Sequence, residues 1–414
     1  MQLIKMLAAL MLLPFTLLSQ PAPVLSLDNI LQHIEVNNPL LQSYGLKAEA
    51  LKENASGATA WMPPMVGAGT FMTPYPFRKV MDPRDRGSLM IRAEQEIPNR
   101  SRQRAQQELL ASQANLQLAE KNITLNNYKA EARRLYYSWL IIRQQIGVLK
   151  ENERIMATLK KIEEVRYPYN RSELSSIYKI TARIEQNRNA LRTQEAEISR
   201  IMSVLNGFMN RPANQLFTVD TSYTPQLRPV TADTTFLNSA RGDLLKIDAN
   251  IRTMQLNIRS LQLEKKPAFS VQFDHMQSLN RMMPSAFSIM GMLTIPIAPW
   301  SARSYQSGIR SMKLNIEAME KEKAAVLSEA RGTLYGIESQ LQSVQDRIRS
   351  LEKTIIPAMQ KSFDASFLSY QENKAQADIT IEAWEALNML QLDLLNEKLK
   401  LYQMIAEYEK EIYR

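Results

Sequence analysis

The chain has 414 residues and a formal net charge of +9, with no cysteine and only two histidines. The lack of cysteine excludes disulfides, thiolate metal sites, a cysteine nucleophile and a lipid anchor on an N-terminal cysteine. The two histidines, His33 and His275, are far apart in the sequence, which disfavours a metalloenzyme or a histidine-dependent hydrolase. Basic and acidic residues are interspersed without a block of like charge, which predicts solvated helix faces and no nucleic-acid partner.

The first residues are typical of an export signal. Lys5 supplies positive charge, and an apolar run at 6–18 has nearly the length of a signal-peptide core. The run is shorter than the roughly 20 residues of a membrane-spanning helix. The sequence therefore predicts a signal peptide at 1–20, with a buried N-terminal helix as the alternative.

The next segments predict helix, strand and strand. Residues 27–60 have a helical pattern with a break at Asn38-Pro39. A Gly-, Thr- and Val-containing segment at 65–74 predicts one strand, and alternation of apolar and polar residues at 88–97 predicts another. The second strand therefore has one polar and one apolar face.

The longest predicted element begins after Pro98. From Ser101 to Tyr167 the chain has no proline before the reversal, and apolar residues recur at seven-residue spacing in two interleaved rows. At 1.5 Å per residue this helix would be roughly 100 Å long. It must lie against other long helices, in a coiled coil, a bundle or a wall. Its return helix is expected to end at Asn206-Gly207.

The same order of elements occurs twice. After a linker rich in proline and threonine, residues 235–266 are predicted to be helical, two alternating strands follow, and a second long hairpin completes the repeat. An internal repeat of this size is a strong indication of fold. The predicted divisions are the signal peptide, a first repeat at 21–210, the linker at 211–233 and a second repeat at 234–414.

Both hairpins are predicted to reverse at a related motif. Residues Tyr167 to Asn170 stand between the two long helices of the first repeat, and Tyr370 to Asn373 occupy the corresponding place in the second. Asparagine tolerates the left-handed backbone conformation that a tight reversal needs. Asn170 and Asn373 are therefore expected to adopt it.

The four predicted strands carry the functional indication. Each is amphipathic and about ten residues long, which matches a tilted membrane strand. Four strands cannot close a barrel, and unpaired backbone groups at an open edge cost several kcal/mol each in lipid. Three copies would supply about twelve strands, an even number suited to a barrel. The alternative is a small soluble sheet that caps a helical rod.

Short motifs mark the boundaries of these elements: Asn38-Pro39-Leu40-Leu41, Glu94-Gln95-Glu96-Ile97-Pro98, the reversals at Tyr167 and Tyr370, and Leu205-Asn206-Gly207. Through these segments and the order of its elements, the chain resembles the TolC-like outer-membrane efflux proteins over nearly the whole mature chain, about 26–414. Within that family the chain looks most like the outer-membrane components of heavy-metal exporters of the Cus and Czc type, although it cannot be lipidated on cysteine.

The resemblance implies a mainly α-helical protein with a membrane β-barrel part. Duplicated long helical hairpins would form a trimeric α-barrel in the periplasm, and four strands per protomer would contribute to a 12-stranded barrel in the outer membrane. The protein would be a passive exit duct for metal ions or small toxic compounds, without a catalytic centre or cofactor. Its partners would be two further copies, a periplasmic adaptor (membrane fusion) protein, an inner-membrane transporter of the RND type, and outer-membrane lipid.

The resemblance also implies roles for the helix-reversal ends, which would form a closed, adaptor-facing mouth. Its tips would be Tyr167, Asn170, Glu173, Tyr370 and Asn373. Carboxylates near the second reversal would form rings of like charge under three-fold symmetry, which makes them gate candidates: Asp364, Glu372 and Asp378. The alternative is that they are ordinary solvated carboxylates at helix ends, and Asp378 also suits the first turn of a helix.

Strand polarity predicts which side chains face the lumen of such a barrel. A charge facing mid-bilayer lipid costs roughly 2–4 kcal/mol for arginine or lysine. The lumen-facing residues would be Arg92, Glu94, Glu96, Ser270, Gln272 and Asp274. The lipid-facing residues would be Leu89, Ile91, Phe269, Val271, Phe273, Phe287, Ile289 and Leu293.

Methionines are frequent in and around the predicted strands. Thioethers are soft ligands that suit Cu(I), so Met276, Met282 and Met283 are metal-ligand candidates, with His275 beside Met276. Methionine is also an adaptable apolar filler, which is the alternative.

Other functions stay open at this point. A type I secretion duct would share the architecture. A periplasmic adaptor or coiled-coil scaffold would show one helical hairpin flanked by lipoyl-like β segments, and not two equivalent hairpins each preceded by a strand pair. An enzyme is disfavoured because no nucleophile–base set, phosphate loop or metal-ligand cluster is visible in the sequence.

Overall fold

The computed structural model describes residues 23–75, 86–227, 233–280, 283–296 and 299–413. The predicted signal peptide lies outside these residues, and so does Met282. Among the described residues, no helix combines the length and apolar character that crossing a membrane requires.

The chain opens with a short strand and two helices: β1 (Val24–Leu25), α1 (Leu27–Asn37) and α2 (Pro39–Gly57). The predicted break is present, because Asn38 Oδ1 accepts hydrogen bonds from the backbone N–H groups of Leu40 (3.0 Å) and Leu41 (3.3 Å). Pro39 occupies the start of the second helix, where its missing N–H costs nothing.

The first repeat continues with two strands and two long helices: β2 (Met65–Phe71), β3 (Ser88–Ile97), α3 (Arg100–Arg166) and α4 (Leu174–Phe208). Helix α3 has 67 residues, which confirms the predicted long helix. A 3₁₀ turn at Tyr167–Tyr169 follows, and Asn170 has the expected left-handed conformation with φ of 60°.

The end of α4 differs from the prediction at Asn206-Gly207. The helix continues to Phe208, and the left-handed residue after it is Asn210, with φ of 56°. Asn206 is completely buried inside the helix, where its Nδ2 donates to the carbonyls of Ala213 (3.3 Å) and Gln215 (2.8 Å). Its side chain therefore fixes the following segment instead of ending the helix.

The remaining elements are β4 (Thr218–Val219), α5 (Thr234–Ala240), α6 (Gly242–Leu263), β5 (Ala268–Ser278), β6 (Ala286–Thr294), α7 (Pro299–Ser350), α8 (Ile356–Gln371) and α9 (Ala377–Glu411). The helix predicted at 235–266 is divided at Arg241, which has extended backbone angles. A π-helical segment, Leu351–Ile355, joins α7 to α8. We attribute it to Pro357, which lacks an N–H and whose ring crowds the preceding helical turn. Asn373 between α8 and α9 is left-handed, as predicted, with φ of 59°.

The four predicted strands form one antiparallel sheet in the order β2-β3-β5-β6. Each repeat supplies one adjacent pair, and β3 pairs with β5 across the repeats over Ser88 to Ile97. Strands β2 and β6 are the edges of this sheet within the chain. A separate parallel pair joins β1 and β4.

The structure divides into two compact units, and each takes segments from both sequence repeats. The first, which we call the reversal unit, contains the described residues of Met1–Ile34, Glu131–Gln226 and Val344–Gln403. The second, the sheet unit, contains those of Glu35–Ala130, Leu227–Ser343 and Met404–Arg414.

Each unit has a conventional apolar core between helices. In the reversal unit, residues such as Met156, Ile180 and Trp384 are buried together near the helix reversals. In the sheet unit, Leu237 and Tyr408 belong to a smaller buried cluster.

A buried ion cluster centred on Arg241 lies at the division between α5 and α6. Its guanidinium donates to Asp243 at 2.7 Å and to Glu411 at 2.6 Å, and it lies 5.6 Å from the ring centroid of Tyr413. Burial opposes the charged form, but the two carboxylates outweigh it, so the pKa of Arg241 is raised. These contacts connect the end of α9 to the start of α6.

Candidate functional site

The charged residues of the four strands share one face. Directly opposed residues of an antiparallel pair point to the same side. The register of β3 and β5 opposes Arg92 to Asp274, Glu94 to Gln272 and Glu96 to Ser270. All six residues that strand polarity predicted as one set therefore occupy a common face, which we call the polar face.

An ion pair lies at the centre of the polar face. Arg92 Nε donates to Asp274 Oδ1 at 2.7 Å, and Gln272 Nε2 donates to Asp274 Oδ2 at 2.6 Å. Asp274 is 2% exposed and Gln272 is 5% exposed. A carboxylate with so little access to water needs a compensating charge, and Arg92 supplies it.

The opposite face of the sheet is apolar and open, and we call it the apolar face. The β5–β6 register opposes Phe269 to Leu293, Phe273 to Ile289 and His275 to Phe287. Phe287 and Ile289 are 68% and 67% exposed, and Phe269 is half exposed. The eight residues predicted to meet lipid all lie on this face and are all exposed in the chain.

This distribution is the reverse of a sheet in a water-soluble protein. Antiparallel sheets there pack their apolar face on a core and expose polar side chains to water. Here the buried members are Gln272 and Asp274, while the large apolar side chains are open. An exposed apolar surface of this kind marks a site of contact with membrane or protein.

Two adjacent metal candidates, His275 and Met276, lie on opposite faces of the sheet. Met276 is partly buried on the polar face, whereas His275 lies on the apolar face opposite Ile91 and Phe287. His275 and Met276 therefore cannot bind one ion, because successive strand residues point to opposite sides. Met283 is exposed in the turn after β5. Among the described residues, no group of three or more His, Cys, Asp or Glu side chains is arranged to hold a metal.

In the reversal unit, a buried carboxylate connects the two helix reversals. Glu163 is 2% exposed and accepts hydrogen bonds from the hydroxyl groups of Tyr370 and Ser172. The guanidinium of Arg166 donates to the carbonyls of Tyr370 and Gln371 at 3.2 Å each and lies 4.4 Å from the Tyr370 ring centroid. Burial and the bond to Glu163 raise the pKa of Tyr370. The last turn of α3 is thus tied to the end of α8.

Sequence reasoning did not identify Glu163, although the heptad pattern contains a signal for it. Leu135, Ile142, Leu149 and Met156 are buried at seven-residue spacing, and Glu163 is the next position in that row. A charged residue at an apolar heptad position costs stability unless it has partners. Such an exception indicates a specific polar contact.

The predicted tip residues differ in exposure. Tyr167 is 45% exposed, and Asn170, Glu173 and Asn373 are also exposed. Tyr370 is different, because its ring is 2% exposed and belongs to the apolar core of the reversal unit. Tyr370 therefore supports the reversal from inside and does not present its own side chain at the surface of this chain.

The predicted gate carboxylates have different partners. Asp364 accepts a hydrogen bond from Gln360 at 3.0 Å, and Glu372 pairs with Lys374 at 2.7 Å.

Asp378 pairs with Lys179 at 2.9 Å and raises the pKa of that lysine by this hydrogen bond. Its other oxygen, Oδ1, is buried without a hydrogen-bond partner among the described residues.

Several of these residues line one open cavity of about 600 Å³. Its walls include Glu163, Tyr370, Asn170, Glu173 and Asp378. Its walls do not include Asp364, Glu372 or Tyr167. Of the three gate candidates, only Asp378 therefore lies beside the buried Glu163 network.

Solved structures of outer-membrane channels share this arrangement. The OprN channel is 14% identical, with a TM-score of 0.74 over 93% of this chain and 89% of that chain. CusC is 13% identical, with a TM-score of 0.73 over 93% and 91%. VceC of Vibrio cholerae is 12% identical, with a TM-score of 0.71 over 93% and 95%. The chain has the TolC-like channel fold.

The TolC-like fold confirms the resemblance inferred from the repeated sequence motifs. The likeness to CusC is no greater than the likeness to OprN, so it does not single out the heavy-metal type. No protein-family model matches the sequence, and no curated protein matches it significantly.

Proposed function

We propose that the protein is a passive exit duct in the outer membrane that serves a tripartite efflux system. The observation that carries this proposal is the reversed polarity of the four-stranded sheet. Its apolar face exposes Phe287 and Ile289, while Asp274 and Gln272 are buried on the polar face. A sheet of this kind is stable where lipid meets the apolar face and water reaches the polar one.

The sheet edges support assembly into a trimer. Strands β2 and β6 are edges in the single chain. In hydrocarbon each unpaired backbone group costs several kcal/mol, so these edges must pair with further strands. Pairing β6 of one copy with β2 of the next would close a barrel, and three copies would supply about twelve strands. The polar face would then line the lumen.

The reversal unit would form the periplasmic mouth of the duct. Tyr169 and Tyr178 near the first reversal are 75% and 65% exposed, and Tyr167 and Leu174 lie beside them. Exposed tyrosines and apolar side chains of this density suit contact with another protein. We assign that contact to a periplasmic adaptor, with an inner-membrane RND-type transporter supplying the energy.

The gate would lie at the second reversal. Three-fold symmetry would place Asp364, Glu372 and Asp378 in rings, and a ring of carboxylates attracts cations and selects cargo. The buried Glu163 network would hold this end closed, and opening would require the Tyr370 and Arg166 contacts to shift. The cargo would be metal ions or small toxic compounds.

The test is extraction and conductance of the full-length protein expressed with its N-terminal segment. We expect it in the outer-membrane fraction, soluble only with detergent, as a heat-modifiable trimer that conducts ions in planar bilayers. A periplasmic adaptor or coiled-coil scaffold would instead be released without detergent and would not conduct. A monomer that is soluble without detergent would overturn the proposal.

A further inference from the structure

The methionines of the four strands are placed on one face. Met90 and Met276 are directly opposed in the β3–β5 register. Met65 is opposed to Glu94, Met290 to Gln272 and Met292 to Ser270. Since opposed residues share a face, all five lie on the polar face with Arg92 and Asp274. The apolar face of these strands holds none.

Apolar packing does not account for this segregation. If methionine were used here as an adaptable apolar filler, it would lie among the other large apolar side chains. Apart from Phe71, those side chains are on the opposite face of the strands, and they include Ile91, Phe273 and Ile289. Met65 is 65% exposed and Met290 is 48% exposed, so neither fills a packed core. The position of the thioethers therefore requires a different reason.

The nearest pair has the geometry to share an ion. Opposed residues in an antiparallel pair have Cβ atoms about 4.5–5.5 Å apart, and each methionine has an unbranched side chain with three rotatable bonds. The two thioether sulfurs of Met90 and Met276 can therefore reach one ion between them. Their outer neighbours in the same row are Gly69 and Ala286, which leave that space open.

The other three methionines lie on the edge strands. Met65 is on β2, while Met290 and Met292 are on β6. In the trimer proposed above, β6 of one copy lies beside β2 of the next. Closure of the barrel would therefore place edge methionines of neighbouring copies on adjoining strands of the same face. Thioethers would then recur around the whole lumen.

We propose that the polar face binds monovalent soft metal ions, Cu(I) or Ag(I), through Met65, Met90, Met276, Met290 and Met292. This deepens the proposed function, on which it rests, by naming the class of cargo. Thioethers select soft ions, whereas Zn²⁺ prefers imidazole, thiolate and carboxylate ligands. His275 lies on the other face, and Asp274 is already paired with Arg92. The polar face therefore favours Ag(I) over Zn²⁺.

The first test measures methionine oxidation in the purified full-length protein in detergent. Dilute peroxide oxidises thioethers, and a bound ion protects them. We expect Ag⁺ to slow oxidation of the five strand methionines at least fivefold and to leave Met62 and Met389, both exposed and outside the strands, unprotected. Zn²⁺ should protect neither group. Equal protection of both groups by Ag⁺, or no protection of the strand group, would overturn the proposal.

The second test uses matched variants. Met90→Leu/Met276→Leu keeps apolar volume but removes the central pair of sulfurs, and we expect it to weaken Ag⁺ binding at least tenfold. Met62→Leu/Met389→Leu should bind as the unaltered protein does. Unchanged Ag⁺ affinity in the first variant would refute the site.

Planar-bilayer conductance, recorded for every sample, separates the two proposals. If the protein conducts but Ag⁺ has no effect on it, only the proposed metal site is wrong. If the protein does not conduct, the proposed exit duct is wrong.

Discussion

The sheet and the helix reversals of this chain follow opposite rules of burial. At the reversals, Met156 and Trp384 are inside and ion pairs such as Lys179–Asp378 are outside. In the sheet, Ile289 and Phe287 are outside and Asp274 is inside. The proposed duct accounts for the difference, because in it the sheet meets lipid and the reversals meet water.

The largest expected effect comes from placing a charge on the apolar face. Ile289 and Met290 are neighbours in the middle of β6, both exposed in the chain, and they point to opposite faces. Ile289→Arg should cost roughly 2–4 kcal/mol if that side chain meets lipid near the bilayer midplane. Met290→Arg should cost much less. The measurement is the yield of heat-modifiable trimer in the outer membrane.

Similar yields for these two arginine variants would remove the contrast between the faces. Arg92→Ala, by comparison, is a poor control for lumen exposure, because it would leave Asp274 without its ion-pair partner.

A sequence can reveal such a sheet because strand polarity is a local property. The alternation at 88–97 predicted β3 with its observed bounds, and it also predicted which side chains share a face. The register that opposes Arg92 to Asp274 depends on how two distant strands pair, and the alternation within each strand does not specify it. The burial of Asp274 follows from that register, whereas the separation of His275 from Met276 already follows from the alternation within one strand.

The contacts at the helix reversals could not be predicted from the sequence for the same reason, because they join residues that are far apart in the chain. The left-handed Asn170 and Asn373 are local features of tight turns and were predicted. One partner of Glu163, Tyr370, comes from the other helix pair, and Tyr370 and Tyr167 occupy equivalent places in the repeat with opposite exposure. A repeat in sequence does not specify which copy faces inward.

Replacing Arg92 tests whether its ion pair with Asp274 stabilises the protein, or whether the polar face tolerates substitution at this position. Arg92→Leu should lower the thermal midpoint of the trimer by several degrees, because Asp274 would stay covered with only Gln272 as a partner. The double variant Arg92→Leu/Asp274→Leu should recover part of that loss. The midpoint of thermal trimer dissociation measures both. A double variant less stable than the single one would contradict a buried, paired carboxylate.

The two equivalent tyrosines, Tyr370 and Tyr167, are expected to differ in their contribution to stability. Tyr370→Phe removes a hydrogen bond to the buried Glu163 and should cost about 1–2 kcal/mol. Tyr167→Phe, at the exposed counterpart, should be neutral. Because the folded-state pKa of Tyr370 is raised, its neutral form adds stability below about pH 10, which is lost as the pH rises further. Tyr370→Phe should therefore reduce the loss of stability in alkaline buffer, as read from thermal midpoints across pH.

Equal thermal midpoints for Tyr370→Phe and Tyr167→Phe at neutral pH would show that the buried contact contributes nothing. The proposal that the Glu163 network holds the mouth closed would then be wrong.

The smallest effect on stability, and the sharpest on function, is expected at Asp378. Its pair with Lys179 is exposed and therefore contributes little, and Asp378 Oδ1 is buried without a partner among the described residues, so Asp378→Ala should leave the thermal midpoint nearly unchanged. If Asp378 forms a ring at the closed mouth, the same variant should raise single-channel conductance and antibiotic leakage. Asp346→Ala removes a similar exposed ion pair, with Arg349, and should alter neither. If both variants keep the thermal midpoint of the unaltered protein, a conductance change confined to Asp378→Ala cannot come from unfolding, and an unchanged conductance removes Asp378 from the gate.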